Sequence, residues 1–294
     1  MRGYVALLLT LSAIWGSSYM FIKVGVRDFA PATLVDLRLA LAATVLIAFV
    51  ASRGRMRGLP LALRPGAVVG TVGMALPFVL ISWGETHIDS GIAGVANASV
   101  PIFVALLALR FAPSERAHGV RLAGLAVGLS GVAVVSGVHP GGGTWAVVGT
   151  LAVVLASLCY AVSALYVQRR LGVGGPELAA TSTLCGAVVM LPFALAQIPA
   201  HVGWKPLASV AVLGVVATGI ATLLANRLIG AYGPARAMLV NYLLPAFALL
   251  YGVWILGEPL TVAAVVGLVL ILGGVTLASG AFRLPRRAPL TQTP

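Results

Sequence analysis

Asn97-Ala98-Ser99-Val100-Pro101-Ile102-Phe103-Val104-Ala105-Leu106 and Asn241-Tyr242-Leu243-Leu244-Pro245-Ala246-Phe247-Ala248-Leu249-Leu250 carry one pattern, Asn-x-x-x-Pro-x-Phe-x-x-Leu, 144 residues apart. The agreement continues outward. Glu115, Gly124, Gly131 and Ser136 match Glu258, Gly267, Gly274 and Ser279 at an offset of 143, and Ser18 and Pro31 match Ser163 and Pro176 at an offset of 145. Any one match is weak. Matches held at nearly one offset along a whole chain mark an internal duplication.

What is duplicated follows from composition. The 294 residues are 60% hydrophobic and 9% charged, where an ordinary soluble domain carries about 25% charged residues. Such a chain cannot cover itself with polar surface, and its apolar content equally excludes disorder. A membrane-crossing helix needs about 20 apolar residues. Hydropathy gives ten such runs, near 4–24, 31–51, 65–85, 91–111, 118–138, 146–168, 176–197, 207–228, 234–256 and 261–282. Pro31, Pro65, Pro176, Pro206 and Pro234 are read as helix starts, where a missing N–H costs little. Met1-Arg2 and the apolar stretch after them are read as the first of these helices, not as a cleaved leader.

The expected fold is therefore an all-α integral membrane protein of ten transmembrane helices. Residues 1–140 form a first five-helix repeat and residues 146–282 a second, divided by Gly141-Gly142-Gly143; 283–294 is read as a disordered cytoplasmic tail. Five is odd, so the second repeat enters the membrane from the opposite side. Two inverted repeats around a central cavity are a device of secondary transporters.

The net charge of +12 would suggest nucleic acid in a soluble protein. Here the basic residues are topology signals. With the amino terminus in the cytoplasm, 15 of the 19 Lys and Arg fall on the inner side; the outer side holds Lys23, Arg27 and Lys205, and Arg38 lies inside the second helix. This satisfies the positive-inside rule and places both termini in the cytoplasm. Cys159 and Cys185 lie in apolar runs and read as small core residues. No cofactor or metal site is expected.

Helical spacing selects candidate cavity residues: Trp15 and Ser18 in the first helix, Phe78 and Ser82 (with Glu85) in the third, Tyr160 and Ser163 in the sixth, Thr218 and Thr222 in the eighth. Asn97 and Asn241, each one turn before a proline, and Tyr242 complete the set. Trp15, Trp83 and Tyr160 are candidates to stack on an aromatic cargo, Trp83 alternatively being an interfacial anchor like Trp145 and Trp204. The asparagines serve either as interhelical glue or as cargo contacts. Pro101 and Pro245, placed near mid-helix, are either kinks satisfied by neighbours or hinges. Asp36 is expected to pair with Lys23 or Arg27 or to act in function, and Arg38 to tie its helix to outer-loop carbonyls. Gly66/Gly70 and Gly124/Gly128 have the spacing of close helix packing. The seventh and tenth helices are expected to be peripheral. None of the seven acids stands plainly at mid-depth, which favours neutral or zwitterionic cargo over cations exchanged for protons.

The chain resembles ten-helix members of the drug/metabolite transporter superfamily with EamA-type repeats. Trp15-Gly16-Ser17-Ser18, Leu37-Arg38-Leu39, the two Asn-x-x-x-Pro helices and Leu256-Gly257-Glu258-Pro259-Leu260-Thr261 carry the resemblance, with Ser114-Glu115 standing for Gly-Glu in the first half. Its plan is similar to the YddG-type aromatic amino-acid exporters. The resemblance implies export of small metabolites, most often amino acids, across the bacterial inner membrane, by a monomer whose partners are the cargo and the bilayer and not nucleic acid. A broader drug or metabolite exporter is the alternative. A channel would show a filter motif or charged ring. An enzyme would show a catalytic cluster, whereas His87, His118, His139 and His201 are scattered.

Overall fold

Short, uncharged, Leu/Val/Ala-rich runs favour helix, and in a membrane the helix is also the structure that satisfies its own backbone. The computed structural model describes residues 2–111, 120–137, 143–169 and 174–278, and every regular element among them is helical. In chain order these are α1 (Arg2–Gly25), α2 (Pro31–Ser52), α3 (Leu59–Gly70), α4 (Leu76–Gly84), α5 (Ser90–Asn97), α6 (Val100–Phe111), α7 (Val120–Gly137), α8 (Gly143–Arg169), α9 (Gly175–Leu195), α10 (Trp204–Ala211), α11 (Ala221–Tyr232), α12 (Pro234–Ala237), α13 (Val240–Leu256) and α14 (Val262–Ala278). Seven helical runs are long and apolar enough to cross a membrane, with three shorter apolar helices within α7, α13 and α14. Large apolar side chains stand on the outside of the molecule, among them Val188, Phe193, Trp254, Val262 and Val269. A soluble monomer does not tolerate such a surface.

Pro31 and Pro176 do sit in first turns. Pro65 does not: the third run begins with a short 3₁₀ turn at Met56–Gly58 and α3 at Leu59, leaving Pro65 inside the helix. Two long runs are not α-helical throughout. Thr71–Ala75 is π-helical and joins α3 to α4; Val212–Ile220 is π-helical and joins α10 to α11. The first has a local cause. Pro77 has no N–H to give the Gly73 carbonyl, and Leu76 N–H bonds five residues back to Thr71. Two other runs are interrupted by turns, at Ala98-Ser99 between α5 and α6, and at Met238-Leu239 between α12 and α13.

Packing proceeds through small residues. α7 and α14 meet along a glycine seam: a Cβ on Gly274 would lie 2.3 Å from the Gly128 nitrogen, and one on Gly131 2.8 Å from the Ile271 nitrogen. α3 meets α9 the same way, where a Cβ on Gly70 would fall 2.3 Å from the Ser182 carbonyl oxygen and one on Gly66 2.4 Å from Thr181 Oγ1. Both glycine spacings expected to permit close packing do so. α9 carries three buried hydroxyls, Thr181, Ser182 and Thr183, against α2 and α3.

Polar contacts gather at two opposite ends. At one, the Tyr4 hydroxyl donates to the Arg236 carbonyl (3.1 Å) and Arg55 pairs with Glu177. At the other, Lys23 Nζ donates to the carbonyls of Glu85 and Ile88 (2.7 Å each), and Gly203 N–H donates to Asp28 Oδ2 (2.7 Å). There too the Glu258 carboxylate caps α5, accepting Ser90 N–H and Oγ–H (2.8 Å each) and Gly91 N–H (3.0 Å). This explains Leu256-Gly257-Glu258-Pro259-Leu260-Thr261. Gly257, at φ +71°, ends α13 in the left-handed region. Glu258 crosses to α5, and Thr261 Oγ1 accepts the Ala264 N–H to start α14. Ser114, Glu115, His118, His139 and the tail 283–294 lie outside the described residues.

Candidate functional site

A cavity of about 360 Å³ lies among α1, α2, the two π-helical runs, the two interrupted runs and α8. That volume is within the range of about 300–1,000 Å³ typical of small-molecule sites. Trp15, midway along α1, lines it with Ser18, Tyr19 and Ile22; α4 adds Phe78 and Ile81; α8 adds Tyr160 and Ala164. Asn97, the last residue before one helix interruption, and Asn241, just after the other, face it as well. Gly73, Met74, Ala217 and Thr218 bring both π-helical segments to the wall, with Thr222 one turn on. π-Helical segments recur at functional sites because they displace side chains that a regular helix would direct elsewhere.

The cavity wall brings aromatic rings and a cation together. Phe78 and Tyr160 meet edge to face, with ring centroids 6.4 Å apart. Arg38, 5% exposed, enters from α2 with its guanidinium carbon 3.9 Å from the Phe78 ring centroid. Arg38 Nε donates to Thr218 Oγ1 at 2.8 Å, and that hydroxyl donates in turn to the Leu213 carbonyl, also 2.8 Å. The close approach of α2 to Val212–Ile220 makes this geometry. A Cβ on Gly214 would stand 2.5 Å from Leu41 Cβ and 2.9 Å from the Arg38 carbonyl oxygen, so only glycine lets the backbones come this near.

Of the residues expected to line a cavity, Trp15, Ser18, Phe78, Asn97, Tyr160 and Asn241 are on its wall, as are Thr218 and Thr222. Four are elsewhere. Ser82 is fully buried one turn beyond Phe78, where the cavity has ended, and its hydroxyl has no partner. Trp83 belongs to an aromatic cluster at the Lys23 end, its ring 4.5 Å from His87, which stacks on Trp145 at 5.5 Å. Ser163 faces Gly73 across a helix contact in which a Cβ would lie 2.2 Å from its hydroxyl oxygen, and Ala164 takes the wall position. Tyr242 packs against the apolar core beside Asn241.

The prolines divide. Pro101 is the second residue of α6, two residues beyond an interruption, not mid-helix; Pro245 is inside α13. The Asn97 carbonyl that Pro101 leaves without its helical donor is met by Ser157 Oγ at 3.4 Å, and the same hydroxyl reaches Asn97 Oδ1 at 3.2 Å. Arg38 does not tie α2 to loop carbonyls as expected of it; Lys23 bonds the carbonyls of Glu85 and Ile88, leaving Asp36 without it. Glu85, just past α4, is fully buried with neither carboxylate oxygen hydrogen-bonded. Sequence reasoning missed Tyr19, Met74 and Met238 on the wall. Tyr19 stands four residues after Trp15 and was findable by spacing; the two methionines carry no polar signal.

Membrane-competent helices packed around a polar-and-aromatic cavity define a multi-pass membrane transporter fold. A crystal structure with 21% sequence identity superposes with a TM-score of 0.65, covering 94% of this chain and 97% of the other. The profile of the EamA-like transporter family matches residues 2–137 and again 147–280, and the chain belongs to that family. Among curated relatives, "Uncharacterized inner membrane transporter YedA" of Escherichia coli (strain K12) is 30% identical, covering 97% of this chain and 94% of the relative. The "Probable terminal-alkyne amino-acid exporter" of Streptantibioticus cattleyicolor is 32% identical over 92% of this chain and 91% of its own. The "Probable amino-acid metabolite efflux pump" of Salmonella typhimurium is 27% identical over 97% of each.

Proposed function

We propose that this chain exports small metabolites, chiefly amino acids and aromatic ones among them, across the bacterial inner membrane by alternating access, as a monomer and without a cofactor. Trp15, Ser18, Phe78, Asn97, Tyr160 and Asn241 hold the cargo in the cavity. The observation that carries this reading is the cavity itself, which pairs aromatic rings with a cationic group and asparagine amides, the chemistry an amino acid presents. Relatives named as amino-acid exporters and efflux pumps support it.

The architecture we propose is ten spans in two inverted five-helix repeats, residues 1–140 and 146–282. Supporting it, the family profile matches twice. Both π-helical segments fall in the third run of their half and both turn interruptions in the fourth. Matching helices also pack on one another, α2 on α9, α5 on α13 and α7 on α14, as elements beside a pseudo-twofold axis do. The end carrying Arg55, Tyr4 and Arg236 is the cytoplasmic one by the positive-inside rule. Pro101, two residues beyond one interruption, and Pro245, inside α13 six residues beyond the other, serve as hinges.

The test is counterflow in proteoliposomes with a panel of amino acids, with and without a pH gradient. Accumulation of labelled amino acid is the expected result. Movement of lipophilic cations with no amino acid moved would give the role to a broader drug exporter.

A further inference from the structure

We infer that Arg38 is the oxyanion receptor of the cavity, so that transported cargo must present a carboxylate to it. This rests on the export reading above and adds a chemical requirement to it.

An arginine near the centre of a membrane helix is unfavourable by about 2.5–3.5 kcal/mol on insertion scales, and its guanidinium does not escape by losing its proton. Arg38 is seven residues into α2, 5% exposed, and enters the cavity wall. Such a group is normally retained beside a counter-charge. Among the described residues, no carboxylate lies within salt-bridge distance of Arg38. Its hydrogen bond goes to a neutral hydroxyl, Thr218 Oγ1, and its face rests on the Phe78 ring. Glu85, the buried acid just past α4, makes no hydrogen bond to it, both oxygens being without partners.

The Thr218 bond uses Nε alone. It fixes the plane of the guanidinium, and stacking on Phe78 fixes its tilt. Among the described residues nothing else hydrogen-bonds the guanidinium, which leaves its remaining donors to a planar, bidentate partner, the way arginine recognises a carboxylate. A cargo seated there places its side chain beside Trp15, Phe78 and Tyr160, while Asn97 and Asn241 offer carbonyl oxygens to an ammonium group. Thr218 is a positioning residue, acting through Arg38.

The experiment measures competition for counterflow and ligand-induced thermal stabilisation in detergent, using an amino acid that the wild type moves. Competitors are its decarboxylated amine and its methyl ester. On wild type the amino acid should outcompete both by about ten- to a hundredfold, the range of one charge-assisted hydrogen-bonded contact. Arg38→Met should lose that preference, Arg38→Lys should keep part of it, and Thr218→Val should reduce it without abolishing it. Equal competition by amine, ester and amino acid on wild type overturns the inference even if every Arg38 variant fails to fold, and leaves the export reading intact. An unchanged preference in folded Arg38→Met overturns it too. Movement of lipophilic cations but of no amino acid overturns both readings together.

Discussion

The α7–α14 seam and the cavity wall are built from opposite materials. The seam is two regular helices whose backbones touch through Gly128, Gly131, Gly267 and Gly274, with no room for a Cβ. The wall is irregular helix: two π-helical runs, two interruptions, a buried arginine and asparagines. Regular, close-packed elements resist rearrangement because every contact is made at once. Irregular elements leave backbone and side-chain groups free to meet a ligand. The contrast fits a division of labour under the proposed function, with the seam locking α7 to α14 and the wall left to meet cargo.

Four substitutions test that contrast, in falling order of effect. Gly274→Leu strikes the seam, where the added side chain has only backbone to push against. It should destabilise by at least about 3 kcal/mol and abolish monodisperse protein, read by size-exclusion chromatography and a melting curve. Trp15→Ala strikes the wall. Transport of an aromatic amino acid should fall about five- to tenfold, from lost stacking and contact area, with the melting temperature nearly unchanged. A large drop in stability there would erase the distinction. Glu258→Gln lies between the two regions. The amide keeps one acceptor for the α5 N-terminus but loses the charge, costing about 1–2 kcal/mol, seen as a lower melting temperature. Trp83→Phe touches neither seam nor wall. It should change stability by less than about 0.5 kcal/mol and leave amino-acid counterflow at the wild-type rate.

The seam was legible in part: Gly124/Gly128 has the spacing of close helix packing, whereas Gly131, Gly267 and Gly274 stood out only as repeat matches. The cavity was half legible. Trp15, Ser18, Phe78 and Tyr160 follow from a 3.6-residue period, and the asparagines from the repeated Asn-x-x-x-Pro pattern. Ser82 and Ser163 fail because periodicity fixes a direction and not a depth or a neighbour: the cavity stops near Ile81, and Gly73 draws Ser163 into a helix contact. Trp83 fails for a different reason, since its aromatic signal fits an end-cluster as well as a cavity. The π-helical runs lack a sequence rule apart from Pro77 behind the first. Arg38 was readable as a buried charge, but its partner, Thr218, is 180 residues away and only the fold brings them together.

The central claim is a cargo cavity reached in turn from each side of the membrane. Ser18→Cys, placed in a background with Cys159 and Cys185 replaced, puts a thiol on the cavity wall. Labelling it with a membrane-impermeant maleimide in right-side-out and in inverted vesicles tests the claim directly. Labelling from both sides is expected, slowed by transported amino acid in each. A thiol unreachable from both faces, or reached from one face alone whatever cargo is present, would contradict it.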